Sequence, residues 1–541
     1  MWGVQDWSGT RARLLRLAGA AGVGVLAGPG RAFARSRPLL GDVGVRSSGR
    51  PFAGDHGLLT TISVAPGRGV AQLSFELARP ARVSLDILVT GQGVASEQPA
   101  TVAETTLHQN TTALRAGRHE LTWAPPAGLP ARTYIARITA KARGERTQTK
   151  QVVIRVLGVD AAFGVRSVTP GETATLVLRT DAEVVSLQIL RSGPETEPTY
   201  ANNEIRGVPF GGAIVADWRG HANAPAPIAV PTGADWPTGV YAARLDASDG
   251  RVGFAPLVIR PAAPVARVAV AMPTSTWGAY NFYDQDGDGW GDTWYARWRT
   301  KHADLTRPQP SRGVPYRYRS YDLAFQHWLA ETGKQVDVYA DEDIEVFTPK
   351  DLRAAYDLVV FPGHSEYVTT RLFDVVEAFR DLGGNLMFLS ANNFFRRVER
   401  ENGRLTLIDE WRDLGRPESA LLGNQYVAGD RGEHRAPFTV VGADIAPWAF
   451  AGTGLANGST FGLYGIEIDK RAPASPPSTQ VLAQIPDLLG PGRTAEMTYY
   501  EHWSGARVFS AGALDFGGQV LLWPQTRQLL ENVWARLTER A

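Results

Sequence analysis

The chain has 541 residues, room for about three or four domains at roughly 150 residues each. Apolar residues make up 44% and charged residues 21%, an ordinary globular composition. The formal net charge of +1 argues against a nucleic-acid binder driven by bulk charge. With no cysteine the chain has no disulfide, thiolate metal site, iron–sulfur cluster or cysteine nucleophile.

Arg11, Arg13 and Arg16 precede an apolar, small-residue stretch from Leu17 to Gly28, and Ala32-Phe33-Ala34 offers a small-x-small cleavage pattern. That layout predicts an export segment over residues 1–45 and a secreted or exported protein. Beyond it no apolar run is long enough to predict a membrane span. Residues 50–157 read as short strands: Ala71–Leu77 and Ala81–Val89 alternate, and His119–Trp123 and Tyr134–Ala140 form a further pair, with Pro and Gly between them. This spacing predicts a β-sandwich. The run Leu114–Trp123 resembles Ig-like modules of the flagellar-hook-cap type, which implies a role in spacing or binding. Residues 158–262 repeat the style, with alternation in Ala174–Thr180 and Val185–Arg191 and a turn at Trp236-Pro237-Thr238-Gly239. They predict a second Ig-like sandwich, followed by a linker at Pro261–Pro264.

From residue 265 to 541 the period changes. Val265–Met272, Gln335–Tyr339, Tyr356–Phe361 and Asn385–Leu389 read as strands. Between them Leu323, Phe325, Trp328 and Leu329 mark a helix with Ser320 as N-cap and Gly333 as its stop. Thr348-Pro349 opens a short helix, and Leu372, Val375, Val376 and Phe379 stripe another that Gly383-Gly384 ends. Strands alternating with helices predict a doubly wound parallel sheet. The first strand lacks the glycine pattern of a dinucleotide-binding turn.

Open parallel sheets bind ligands beyond the carboxyl ends of their strands, where the strand order reverses. In a flavodoxin-like order the first and third strands flank that point. Tyr280, His364 and Glu366 would then converge there, and Tyr321, at the start of the first crossover helix, could reach the same edge. His364 and Glu366 can divide the work of taking protons and holding a cation; the plainer alternative is a solvated pair. His56, His108, His119, His221 and His434 read as surface or structural, and His327 as packed on its helix.

Directly after Tyr283, Asp284, Asp286, Asp288 and Asp292 occupy positions 1, 3, 5 and 9 of a loop with Gly289 at 6. This is calcium-loop spacing. An EF-hand would place Glu at position 12, which is Tyr295. The expected cage is therefore of another type, completed by Asp292 and the Trp290 carbonyl. Four close carboxylates repel one another without a cation, which favours calcium over a solvated acidic turn and gives the loop a stiffening role beside Tyr280.

Taken together, Thr276–Asn281, Gly363–Tyr367, Gly384–Leu386 and Ala391-Asn392 resemble the large (β) subunit of N,N-dimethylformamidase and its relatives. Glu496–Glu501, Gly505–Gly512 and Trp236–Tyr241 are similar too, so the resemblance covers about 160–541. It implies a glutamine-amidotransferase-like α/β domain without the amidotransferase cysteine. It also implies hydrolysis of a small-molecule amide at a mononuclear iron, and either a small partner subunit or a second copy of the chain. By matching motifs the iron ligands would be Tyr280, Tyr321 and Glu366, with Tyr316 and Tyr318 as neighbours competing with Tyr321, and His364, Asn392 and Glu501 would act beside the metal. Phenolates and a carboxylate are hard oxygen donors that suit Fe(III). Such an ion polarises a carbonyl and activates water, and Glu501 would carry the proton to the leaving amine. Two other functions remain open at this point. One is a non-catalytic exported binding protein on a calcium-stabilised scaffold. The other is a glycosidase using Glu366 and Glu501, with Trp277 and Trp503 as sugar platforms.

Overall fold

The computed structural model describes residues 43–48, 58–67, 70–90, 100–106 and 113–539, apart from short breaks at 127–128, 198, 200, 222–223, 297–299 and 431. The expected export segment lies outside the described residues up to residue 42, as do His56 and His108. The protein is built mostly from β-sheets, with helices concentrated in its second half.

Two antiparallel four-stranded sheets come first. One orders Val43–Ser48, Gly117–Trp123, Val70–Leu77 and Leu59–Gly67; the other orders Ala100–Thr106, Arg82–Val89, Arg132–Lys141 and Gln148–Val156. Their strands alternate as the sequence does. Gly117–Trp123 buries His119, Leu121 and Trp123 and turns Arg118, Glu120 and Thr122 outward. The inward residues of both sheets, among them Phe75, Leu85, Leu121 and Ile138, form one apolar cluster. His119 stacks on Phe75 with ring centroids 5.2 Å apart, a packing role.

Next come a five-stranded sheet (Ser167–Val168, Val252–Ile259, Gly239–Ala247, Val184–Arg191, Val208–Asp217) and a three-stranded one (Ala226–Pro231, Thr173–Arg179, Asp160–Phe163). The larger sheet is covered on both faces. Tyr241, Ala243 and Leu245 face the three-stranded sheet, whereas Val240, Ala242, Phe254 and Val258 share a core with Val268 and Val270 of the next sheet. Double coverage explains why Gly239–Ala247 is buried along nearly its whole length. The segment Pro261–Pro264 therefore joins two bodies in direct contact.

The central sheet has nine strands. In chain order they are β1 (Val268–Met272), β2 (Asp337–Ala340), β3 (Leu358–Phe361), β4 (Asn385–Phe388), β5 (Arg435–Val440), β6 (Thr460–Gly465), β7 (Gln480–Ile485), β8 (Ala495–Glu501) and β9 (Arg507–Ser510). In space they run β2-β1-β3-β4-β9-β8-β7-β5-β6. The first five of that order are mutually parallel and the rest antiparallel. β1, β3 and β4 are buried at every residue, as parallel strands covered on two faces must be. Phe325 and Trp328 of helix Ala324–Glu331 and Leu529 and Val533 of helix Pro524–Thr538 cover one face. Leu352 of helix Pro349–Ala355 and Val375, Val376 and Phe379 of helix Thr370–Asp381 cover the other.

Thr348 caps its helix as expected, its hydroxyl accepting the Asp351 N–H, with Pro349 in the first turn. Ser320 does not cap. One π-helical turn, Arg319–Leu323, runs straight into Ala324–Glu331, and the Ser320 hydroxyl turns instead to the Asn202 side chain at 3.5 Å. Among the described residues no helix is long and apolar enough to cross a membrane.

The acidic loop 284–292 lies against the first pair of sheets. The Thr90 hydroxyl donates to the Gly289 carbonyl at 2.6 Å, and Arg155 donates to the Asp284 carbonyl. Gly289 has a φ of 93°, and a Cβ there would lie 3.2 Å from an Ile135 side-chain carbon. Both the backbone angle and the close approach require glycine.

Candidate active site

The strand order reverses between β1 and β3, and the polar loops that follow these strands meet there. After β1 the short helix Thr274–Ala279 is wholly buried, and Tyr280 ends it. Its Thr276 hydroxyl accepts the N–H groups of Glu366 (3.1 Å) and Tyr367 (3.3 Å). That hook fixes the loop after β3 against the helix after β1. The loop after β4 holds it from the other side, because Asn393 Oδ1 accepts the Ser365 N–H at 3.1 Å.

The result is a buried centre around Glu366. The Tyr280 hydroxyl donates to Glu366 Oε2 at 2.8 Å, and the Tyr295 hydroxyl reaches both carboxylate oxygens at 3.2 and 3.3 Å. His364 Nε2 stands 3.5 Å from Glu366 and 3.4 Å from Glu467, yet it makes no hydrogen bond of proper geometry. Glu467 Oε2 accepts the Asn392 amide N–H at 2.9 Å, and Asp469 accepts the Asn392 backbone N–H at 2.8 Å. Asn392 adopts a φ of 54°, a left-handed conformation that asparagine tolerates better than most residues.

The tyrosines sort themselves. Tyr318 turns away, its hydroxyl bonded to Ser192 and Gln326. Tyr280, Tyr316, Tyr321 and His364 line one cavity together with Trp277 and Asp322. Tyr316 stacks on Tyr280 with centroids 5.3 Å apart, and the Tyr321 ring meets His364 edge-on at 6.3 Å. Tyr321 is carried by the π-helical turn, a feature often found at functional sites. The Arg317 guanidinium lies over the Tyr316 and Tyr321 rings, 5.5 and 5.9 Å from their centroids. Tyr280, Tyr321, His364, Glu366 and Asn392 are thus gathered at one crevice.

Glu501 is not among them. It sits at the far end of β8 paired with the start of β9, accepts from the Tyr499 hydroxyl at 2.7 Å and from Arg536 at 2.8 Å, and is half-exposed. The sheet explains this. β8 runs antiparallel to β9, so its last residue lies at the edge opposite the carboxyl ends of the parallel strands. Trp503, in the turn that follows, is 84% exposed. The acid that does stand beside His364 is Glu467. Only the pairing of strands far along the chain brings it there; nothing local in its sequence context announces it.

Burial dominates the electrostatics. It pulls the His364 imidazole down to about 3, so the ring is neutral at physiological pH. It pushes Glu467 and Glu366 well above the ordinary carboxylate range, Glu467 further because of the Glu366 charge. Asp469 rises to about 7 by burial, with its Asn392 hydrogen bond opposing. Several acids and phenols are therefore buried together with few cations near them, and one nitrogen among them lacks a hydrogen-bond partner. Such a set suits a bound positive ion that prefers hard oxygen donors.

The acidic loop offers a separate set. Ligand atoms of Asp284, Asp286 and Asp292 lie within 4.8 Å of one another. Asp288 is not in that group; its Oδ1 accepts the Trp290 N–H at 2.8 Å. Asp284 is buried and raised by desolvation, with hydrogen bonds from Thr133, Gly289 and Gly287 opposing.

The fold and this crevice define a multidomain β and α/β protein with a buried carboxylate, imidazole and phenol centre at the switch point of its sheet. Residues 217–525 match the N,N-dimethylformamidase beta subunit-like, C-terminal family, and the chain belongs to that family. No curated protein matches the chain. Among solved structures it is similar to a Salmonella alpha-2-macroglobulin variant at 11% identity and a TM-score of 0.20, over 45% of this chain and 18% of that one. It is also similar to Salmonella alpha-2-macroglobulin reacted with methylamine, at 11% identity and a TM-score of 0.19, over 42% and 17%. The chain therefore spans less than a fifth of the length of those proteins.

Asp322 makes the burial argument testable. Its carboxyl is 1% exposed, accepts only the Trp277 indole N–H at 3.3 Å, and is pushed up to about 8 by burial. A carboxyl with a raised folded value holds its proton more tightly in the folded state. The stability it contributes is full below the unfolded value of 3.8, drains as pH rises, and is gone above about 8. Asp322→Asn should flatten the fall of the unfolding free energy between pH 5 and 8 by up to about 1.4 kcal/mol per pH unit, read by chemical denaturation at each pH. An unchanged slope would show that Asp322 ionises normally.

Proposed function

We propose that this protein is a metal-dependent hydrolase of a small, non-peptide amide, resembling N,N-dimethylformamidase, and that Tyr280, Tyr321 and Glu366 hold a mononuclear ferric ion. The observation that carries the reading is the convergence of these residues with His364 beyond β1 and β3, in a chain of that family. A ferric ion held there would polarise the amide carbonyl and lower the pKa of a bound water.

The chain's own groups supply the rest. His364, kept neutral by burial, presents an unpartnered Nε2 to the cavity and can orient water or accept a proton there. Glu467 takes the role expected of Glu501. Burial raises it so that it holds a proton near neutral pH, and Asn392 fixes one of its oxygens, the arrangement of a general acid aimed at a leaving amine. The Asn392 side-chain oxygen has no partner and is available to a substrate N–H. Tyr316 and Trp277 wall the cavity and limit the size of the amide.

The sheet belongs to the same reading. Its parallel strands follow β2-β1-β3-β4-β9, the order of a flavodoxin or glutamine-amidotransferase-like sheet, and the two preceding β units are read as Ig-like sandwiches. In the acidic loop we assign calcium to Asp284, Asp286 and Asp292, supported by their closeness. The beta-subunit family name supports an assembly with a small partner subunit or a second copy. Export stands on residues 1–45 alone.

Glu467→Gln should retain iron while lowering kcat on a small N-alkyl amide by roughly 10²–10⁴-fold; an undiminished kcat would remove Glu467 from the reaction. Asp286→Ala should lower the thermal midpoint in calcium but not in chelator, and equal losses in both would exclude a calcium role for the loop.

A further inference from the structure

Tyr295 has no part in the ligand set above, yet it holds the same carboxylate. Its ring stacks on Tyr280 with centroids 4.4 Å apart, and its hydroxyl lies 3.2 and 3.3 Å from the two oxygens of Glu366. Behind it the Tyr295 hydroxyl meets the Tyr367 hydroxyl, and the Trp294 indole N–H reaches the Tyr367 hydroxyl at 3.1 Å. Trp294 and Tyr367 are fully buried and Tyr295 is half-buried, so the inner end of this chain of groups is shielded from water.

An indole N–H can only donate. Trp294 therefore donates to the Tyr367 oxygen. With Glu366 ionised, as a metal ligand is, its oxygens can only accept, so Tyr295 donates to Glu366 and Tyr367 donates to Tyr295. The directions follow from the two ends of the chain, an indole that can only donate and a carboxylate that can only accept. Each donor polarises the next, which strengthens the final bond to the carboxylate.

The same residues close the acidic loop. The Thr293 hydroxyl donates to the Ala279 carbonyl at 2.5 Å, and the Tyr280–Tyr295 stack lies beside that bond. The loop between them thus begins and ends on residues that grip Glu366.

We propose that Tyr295 is a positioning residue for the metal centre: the directed relay Trp294–Tyr367–Tyr295 pins the Glu366 carboxylate and fixes the oxygen it presents to the ion. This rests on the iron reading above. Metal-bound side chains depend on such outer hydrogen bonds, whose loss commonly weakens metal affinity 10- to 100-fold.

The test is titration of iron into the metal-free, full-length chain, following affinity and the visible absorption of ferric phenolate. Tyr295→Phe keeps the stacked ring and removes only the hydroxyl. It should leave the thermal midpoint of the metal-free protein within a few degrees of wild type and weaken iron binding about 10- to 100-fold, while the saturated variant keeps the wild-type band. Tyr367→Phe, one step further back, should weaken binding in the same direction by less. Wild-type affinity in Tyr295→Phe would overturn the positioning role and leave the iron reading standing. An iron-saturated Tyr295→Phe without the wild-type band would overturn it differently, by making Tyr295 a ligand. A wild-type chain that takes up no iron and shows no band would overturn the underlying reading, and this proposal with it.

Discussion

The buried carboxylate of Glu366 is the constraint on which the crevice depends. Its backbone N–H is held by Thr276, its oxygens by Tyr280 and Tyr295, and its carbonyl by the Arg396 N–H at 3.0 Å. These partners come from the segment after β1, the end of the acidic loop and the hairpin after β4. A carboxyl group buried this deeply persists only where hydrogen bonds or a cation offset its desolvation. Here phenols supply the hydrogen bonds, and three segments of the chain are fixed relative to one another as a result.

Chemistry follows from the same burial. The low-dielectric setting that raises Glu467 and Asp469 also strips the proton from His364, so acids stay protonated beside a neutral base. Groups of similar solution behaviour are driven apart, as acid–base catalysis needs. The flanking β units contribute rigidity. The five-stranded sheet shares its core with β1, and the first pair of sheets grips the acidic loop through Thr90, Arg155 and the close approach at Gly289.

Much of this was legible in the residues. Alternation located the strands of the β units, continuous apolar runs located β1, β3 and β4, and Thr348-Pro349 located a capped helix. The strand-end rule brought Tyr280, His364 and Glu366 to one crevice because each follows its strand within a few residues, and Asn392 entered the set through the family resemblance. The rule fails where position depends on pairing rather than on chain order. Glu501 ends an apolar strand near a glycine turn and so resembles a site residue, but its strand runs the other way. Glu467 and Asp469 reach the crevice on Glu467–Lys470, whose partner strand Gln425–Gly429 lies some forty residues earlier. Tyr295 gave one local sign, occupying the place of the missing EF-hand glutamate, but its contact with Glu366 needs the loop to close. Ser320 does not cap because a π-helical turn leaves no free helix start there.

The account stands on one ion bound by three oxygens that are distant in the chain. Diffraction from iron-loaded crystals of the full-length protein, recorded on both sides of the iron absorption edge, addresses it directly. The account predicts a single anomalous peak bonded to the Tyr280 and Tyr321 phenol oxygens and to a Glu366 carboxylate oxygen, with His364 adjacent. A peak bonded elsewhere, or no peak in this crevice, would contradict it.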